Sequence, residues 1–171
     1  MLEPSTILGK KILRLTAHPD DESFLAAGTI YMNSQSGGQT FLVCATLGEK
    51  GASHLKEELT AKELAEVRHQ EFHDAALVLN ISDTKTLRHP DGKVEEYETE
   101  LLIEMSTILA ELKPDLIMSF GPDGITGHKD HISVSRVAAK IARQYNLLLA
   151  VFCIPSQVSD EAQTWLKKRR K

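Results

Sequence analysis

The chain has 171 residues, 42% hydrophobic and 26% charged, with 20 Lys and Arg against 24 Asp and Glu for a formal net charge of −4. A chain of this length fits one domain and, burying roughly 70% of its unfolded surface, needs neither disulfides nor a structural metal to fold. The acidic balance argues against a broad nucleic-acid-binding face; only the terminal "LKKRRK" is basic, and it reads as a solvated end.

Apolar patterning predicts a first strand at "KILRLTA" (11–17) and a helix at "ESFLAAGTIYMNSQ" (22–35). A second strand "TFLVCATL" (40–47) precedes a helix over 58–79, and a weaker strand "TKTLR" (84–88) precedes a helix over 94–112. The fourth strand "DLIMSF" (115–120) leads to a helix over 130–145, and the fifth, "NLLLAVFC" (146–153), to a short helix over 159–170. Strands that are near-continuous apolar runs, alternating with helices, imply an α/β fold: a doubly wound, Rossmann-like parallel sheet of about five strands with helices on both faces, three layers in all. No internal repeat, low-complexity tract or linker divides the chain. Cys44 and Cys153 fall in strand-like runs, where free cysteine behaves as a small buried hydrophobe. Two cysteines make no disulfide framework, so a reducing cytoplasmic location is expected. No apolar run reaches the ~18 residues of a membrane span, and the N-terminus lacks the apolar core of a signal peptide.

In doubly wound sheets, ligands bind beyond the carboxyl ends of the strands, where strand order reverses. With order 3-2-1-4-5 the reversal lies between the first and fourth strands. Those two are followed by titratable loops, "HPDDE" (18–22) and "GPDGITGHKDH" (121–131). A catalytic zinc site wants three protein ligands and an open fourth position. His18 and Asp21 can point to one spot from a strand-to-helix turn, and His131 can supply the third ligand from the opposite loop. Asp20 is then left beside the open position as a general base toward the metal-bound water. His128, one helical turn before His131, can stabilise an oxyanion or donate to a leaving amine, and Asp130 can hold an imidazole in the required tautomer. Glycines 121, 124 and 127 would let the loop turn tightly. The chemistry expected is metal-assisted hydrolysis of an amide or similar carbonyl.

Blander readings exist for each motif. A lone H-x-x-D is more often surface polarity than a ligand pair, and Asp20, Asp21 and Glu22 suit the first turn of any helix. The helix dipole accounts for Glu22 but not for His18. His69 and His73 stand four apart in "HQEFH", which misses the zinc-protease pattern H-E-x-x-H by one position, and they read as ordinary helix-surface residues. His54 and His89 carry no spacing argument. Neither "LGEKGASH" nor "GPDGITG" is a nucleotide-binding fingerprint.

"AHPDDE" (17–22) together with "GPDGITGHKDH" resembles the LmbE-like or PIG-L superfamily of zinc-dependent deacetylases, which act on N-acetylglucosamine-type substrates. The resemblance runs over roughly residues 11 to 155, including "LGEKG" and "EVRHQEFHDAALVL". It implies zinc held by His18, Asp21 and His131, with Asp20 as base, His128 stabilising the transition state and Asp130 orienting it; by ligand type alone, Fe2+ or another divalent metal suits the same set. It also implies that Arg68 and Asp91 contact substrate and that Glu49 lines the pocket. Relatives run longer, with a C-terminal segment near a His-x-Ser-Gln stretch, whereas this sequence stops at Lys171, so one wall of the pocket is expected to differ. The expected activity is removal of acetyl from an N-acetylated amino sugar, in a protein without a membrane span and compatible with a homo-oligomer. The rival expectations are another amide or ester as substrate, or a sugar-binding protein without turnover.

Overall fold

A computed structural model describes residues 6–53 and 58–152. His54, Cys153, the helix over 159–170 and the basic terminus lie outside the described residues. The five strands are β1 (Lys11–Thr16), β2 (Gln39–Thr46), β3 (Asp83–His89), β4 (Leu116–Phe120) and β5 (Leu148–Phe152). They form one sheet of order β3-β2-β1-β4-β5, every neighbouring pair parallel. The reversal of order therefore falls between β1 and β4, as the apolar runs imply.

The helices are α1 (Ala27–Gln35), α2 (Ala61–Val78), α3 (Glu98–Leu112), α4 (Gly124–Gly127) and α5 (Lys129–Gln144). Strand alternation sends Leu13 and Leu15 of β1 and Val43 and Ala45 of β2 to one face. There they meet Leu101, Met105 and Leu109 of α3, spaced four apart on one stripe, and Val134, Val137 and Ile141 of α5. Each such fully buried aliphatic side chain contributes about 1.5–3 kcal/mol. On the opposite face Leu42 and Cys44 pack against Phe72 of α2, and Asn33 of α1 bonds the Thr40 hydroxyl. The result is the three-layer arrangement expected.

Three details depart from the periodicity. The helix read over 22–35 begins as a π-helical turn (Glu22–Ala26), the one over 94–112 begins as a 3-10 turn (Val94–Tyr97), and α4 is a four-residue helix that apolar spacing gives no sign of. The first of these widens the backbone where the β1 loop must turn its carboxylates inward. By contrast α2 starts on a complete capping box, with the Thr60 hydroxyl accepting from Glu63 N–H while Glu63 accepts from Thr60 N–H at 2.8 Å. Cys44 is buried, and burial pushes its thiol well above the usual range.

Candidate active site

The chain leaves β1 at Thr16 and folds the next residues into a turn tied by its own side chains. Asp21 accepts from the backbone N–H of Ala17 (3.1 Å) and His18 (2.8 Å). Asp20 holds a φ of 122°, a region in which non-glycine residues cost of order 1–3 kcal/mol. Glu22, almost wholly buried, helps hold that conformation by accepting Asp20 N–H at 3.1 Å and the Ser23 hydroxyl at 2.7 Å. Glu22 thus both opens the helical segment and braces the loop.

The β4 loop is shaped by Gly124, at φ 63°. A Cβ there would sit 3.0 Å from both the Cβ of His131 and the Cγ1 of Ile132. The His128 side chain then caps α5, its Nδ1 accepting from Asp130 N–H at 3.2 Å. One turn further on, His131 stacks on Phe120, with centroids 4.1 Å apart and planes inclined by 7°. It donates Nδ1–H to the Gly124 carbonyl at 3.1 Å.

The two loops meet. His18 Nδ1 lies 3.2 Å from His131 Nε2, His131 Nε2 lies 3.3 Å from an Asp21 oxygen, and His18 Nδ1 lies 3.8 Å from the other. Donor atoms bound to one tetrahedral ion at about 2.0–2.1 Å are themselves roughly 3.4 Å apart. The His18 and His131 nitrogens stand at about that separation with one Asp21 oxygen beside each, and both imidazoles have their remote nitrogen occupied, the usual way a ligating histidine is oriented. Two groups of three, His18 with His128 and His131, and His18 with Asp91 and Asp130, bring one ligand atom each within 4.8 Å of one another. The second is less suited to an ion, because both Asp130 oxygens already accept backbone N–H groups.

Behind His18 stands a carboxylate layer. His18 Nε2 is 3.2 Å from Asp130 Oδ2 and 3.2 Å from Asp91 Oδ1. Asp130, 1% exposed, also accepts from Gly92 N–H (2.6 Å) and Val94 N–H (3.1 Å), fastening the β3 loop to α5. Asp91 accepts from Lys50 N–H at 2.9 Å, and Glu49 accepts from Asp91 N–H at 2.8 Å. Arg68 reaches from α2 to bond the Gly48 and Pro19 carbonyls and the Asp20 carboxylate.

These contacts set the electrostatics. Burial disfavours charge on His18, but the hydrogen bonds of Asp130 and Asp91 and the charge of Asp21 outweigh it and raise its pKa to about 10. Burial works against the charge on Asp91 as well; His18 and Lys50 N–H overcome it and hold the carboxyl at about 2. Asp20 is raised by burial and by its anionic neighbours Asp21 and Glu22, against the opposing pull of Arg68. His128 is lowered by burial and by His18 and His131.

A cavity of about 390 Å³ opens over these groups, lined by His18, Asp20, Asp21, Arg68, Asp91, His128 and His131. The structure thus gathers eight of the nine residues singled out from the sequence into or directly behind one crevice in the roles of lining or support. Glu49 departs from its expected place: it is absent from the lining and acts one step back, on the Asp91 backbone. Asp130, expected to orient an imidazole, stands behind His18 with a carboxylate oxygen 3.2 Å from its Nε2.

Sequence reading missed Lys50, which lines the cavity inside the quoted "LGEKG", and the Gly124 carbonyl, which no residue type announces. It also missed Arg14, hidden in an apolar run. This guanidinium is fully buried without a hydrogen-bond partner among the described residues, stacked over Phe152 (4.6 Å) and Phe120 (5.2 Å). His89, without a motif of its own, is buried against Glu104 at 2.7 Å.

A doubly wound α/β sheet with a His-Asp-His crevice at its switch point defines the class: an α/β protein whose ligand site lies beyond the carboxyl ends of its strands. Within that class the chain belongs to the PIG-L family: residues 13–142 match its profile, described as GlcNAc-PI de-N-acetylase. It is 34% identical over 134 residues to the probable N-acetyl-alpha-D-glucosaminyl L-malate deacetylase 2 of Bacillus anthracis, covering 77% of this chain and 58% of that protein. It is 28% identical over 161 residues to a 1D-myo-inositol 2-acetamido-2-deoxy-alpha-D-glucopyranoside deacetylase of Corynebacterium urealyticum, covering 79% of this chain and 48% of that one. Among solved structures it resembles the N,N'-diacetylchitobiose deacetylase of Pyrococcus horikoshii, with a TM-score of 0.71 and 28% identity over 78% of this chain and 49% of that one. The chain thus spans about half to three-fifths of the length of these relatives. No helix among the described residues is long and apolar enough to cross a membrane.

Proposed function

We propose that this protein is a zinc-dependent deacetylase that hydrolyses the N-acetyl group of a small N-acetylglucosaminyl compound in the cytoplasm. The observation that carries the reading is the convergence of the His18, Asp21 and His131 donor atoms, at pairwise separations of 3.2–3.8 Å, in the cavity that Asp20 also lines. A divalent ion held by these three would supply a Lewis acid and lower the pKa of water from 15.7 to about 7. Fe2+ suits the same donor set, since ligand type alone separates these ions poorly.

The chain's own residues divide the remaining work. Asp20, its pKa raised by burial and by Asp21 and Glu22, takes the proton of the attacking water. Arg68 holds the Asp20 carboxylate in place and its charge opposes the rise in the Asp20 pKa. His128 spends its Nδ1 lone pair on Asp130 N–H, so its proton sits on Nε2. Its lowered pKa keeps it neutral near pH 7, and a neutral Nε2–H is a donor for the carbonyl oxygen as negative charge develops there. Asp130 and Asp91 fix the His18 ring, and the Asp91 edge and Arg68 guanidinium offer paired acceptors and donors for sugar hydroxyls. The cavity volume lies within the usual range for a small ligand, and a neighbouring cavity of about 500 Å³, bordered by Phe24 and Leu64, leaves room for the rest of the molecule.

The test is acetate release from a panel of N-acetylglucosaminyl glycosides and of simple N-acetyl amines. Release from the glycosides alone is expected; equal rates on the simple amides would replace the sugar deacetylase with a general amidohydrolase, and no release from either would leave only binding.

A further inference from the structure

A second pair of histidines stands on α2 outside the active-site cavity. His69 and His73 are four residues apart, one helical turn, and their rings meet edge to face with centroids 4.5 Å apart. Their Nε2 atoms approach to 3.3 Å. Each ring is anchored from behind by a hydroxyl of β3: His73 Nδ1 lies 3.0 Å from Thr84 Oγ1 and His69 Nδ1 3.4 Å from Thr86 Oγ1. Thr84 and Thr86 alternate along the strand onto the face that α2 covers, so the strand's period of two matches the helix's turn.

This arrangement is unlike that of solvated helix-surface histidines. With each Nδ1 held by a threonine hydroxyl, the two Nε2 atoms face each other across the same small space, and in the tautomer that donates both Nδ1–H groups to the threonine oxygens both Nε2 lone pairs are open to one cation. Two imidazole nitrogens on one tetrahedral ion at about 2.0–2.1 Å are separated by roughly 3.3–3.4 Å, which is the separation present. A hydrogen-bond acceptor on the remote nitrogen, usually a carboxylate, a backbone carbonyl or water and here within reach of a threonine oxygen, orients a metal-ligating imidazole. Both side chains are half-buried, so one side of the pair remains open to water for the other coordination positions.

We infer that His69 and His73 form a second, two-histidine site for a borderline divalent transition-metal ion such as Zn2+ or Cu2+, separate from the His18, Asp21 and His131 centre. With two protein donors against three, it binds more weakly than the active-site set. An occupied site ties α2 to β3 one residue beyond Arg68.

Metal-stripped protein titrated with Zn2+ by calorimetry is expected to take up two equivalents, the weaker of which vanishes in His69→Ala and, separately, in His73→Ala. His131→Ala should lose the tighter equivalent and keep the weaker. Cu2+ added to the His131→Ala protein should give an electron paramagnetic resonance spectrum with coupling to two imidazole nitrogens, lost in the His69→Ala, His131→Ala double variant. Wild-type protein provides a check that needs no variant: one equivalent of Zn2+ beyond the first should protect His69 and His73 from carbethoxylation by diethyl pyrocarbonate, mapped by mass spectrometry. A single equivalent in the wild type, or unchanged modification of both histidines, would overturn the inference whatever the outcome of the deacetylase assay.

Discussion

Asp130 touches no cavity space, yet it joins His18 to the β3 loop, and replacing it with alanine tests the idea that the metal centre is set from behind. In Asp130→Ala the Gly92 and Val94 N–H groups lose their acceptor at a position 1% exposed to water. The Val94 N–H is buried and costs about 1–3 kcal/mol if left unsatisfied, whereas Gly92 is exposed and its N–H can turn to water at little cost. The Val94 cost is an appreciable part of the 5–15 kcal/mol typical of a domain. At Nε2 His18 keeps Asp91 as its remaining partner, and losing such a supporting carboxylate ordinarily lowers metal affinity about 10–100-fold. Urea unfolding of stripped protein measures the first loss, and zinc competition against a chromophoric chelator measures the second. Asp130→Asn, which retains one acceptor oxygen and the volume, should fall between wild type and alanine in both. An alanine variant that folds and holds zinc within about threefold of wild type would refute the supporting role, since the expected change is at least tenfold.

Asp20→Asn should lower kcat by about 10²–10⁴ with zinc retained and, because its pair with Arg68 is half-exposed, should change stability by no more than about 1 kcal/mol; steady-state kinetics, metal content and urea unfolding check all three. Gly48→Ala would place a Cβ 2.5 Å from Arg68 Nη1 at a φ of +67°, so a loss of about 1–2 kcal/mol in unfolding free energy and a displaced Arg68, read as reduced kcat/KM, are expected. Thr60→Ala removes the capping box of α2 and should cost about 0.5–2 kcal/mol by thermal or urea unfolding, with kcat unaffected. In stripped protein, stability as a function of pH should show two flanks. His18, raised to about 10 in the fold, contributes fully below its unfolded value of about 6.5 and loses that contribution between pH 6.5 and 10. Asp91, held at about 2, contributes fully above about 3.9 and loses it as pH falls toward 2. The two flanks belong to one His18–Asp91 pair, so substituting Asp91 with Asn should flatten the acid flank and shift the alkaline one downward; a profile with both flanks unmoved would contradict the pairing.

Sheet order and the crevice were legible because both rest on strong signals. The interior strands are continuous apolar runs whose register leaves little choice, and the two polar loops follow the two strands that flank the reversal. The meeting of His18 and Asp21 with His131 was legible for the same reason: His18 and Asp21 leave β1 in a turn closed by Asp21 itself, so their spacing dictates a shared direction. Support from behind was not legible, because it runs through backbone groups that carry no residue label. The Gly124 carbonyl behind His131, and the Gly92 and Val94 N–H groups on Asp130, are of this kind. Glu49 was misplaced for a related reason: its neighbour Lys50 turns toward the cavity while Glu49 turns to the Asp91 backbone, and a loop without periodicity does not encode that alternation. The His69 and His73 pair looked like helix surface because its partners, Thr84 and Thr86, lie on another element and become neighbours only when α2 docks on β3.

The central claim is that a cation held by His18, Asp21 and His131 is required for hydrolysis of an N-acetylglucosaminyl amide. Acetate release by stripped protein, followed as zinc is added back, tests it directly. The account predicts negligible release from the stripped protein, a rise that breaks at one equivalent, and no further gain from a second. Full activity in the stripped protein, or a rise unaffected by His131→Ala, would contradict it.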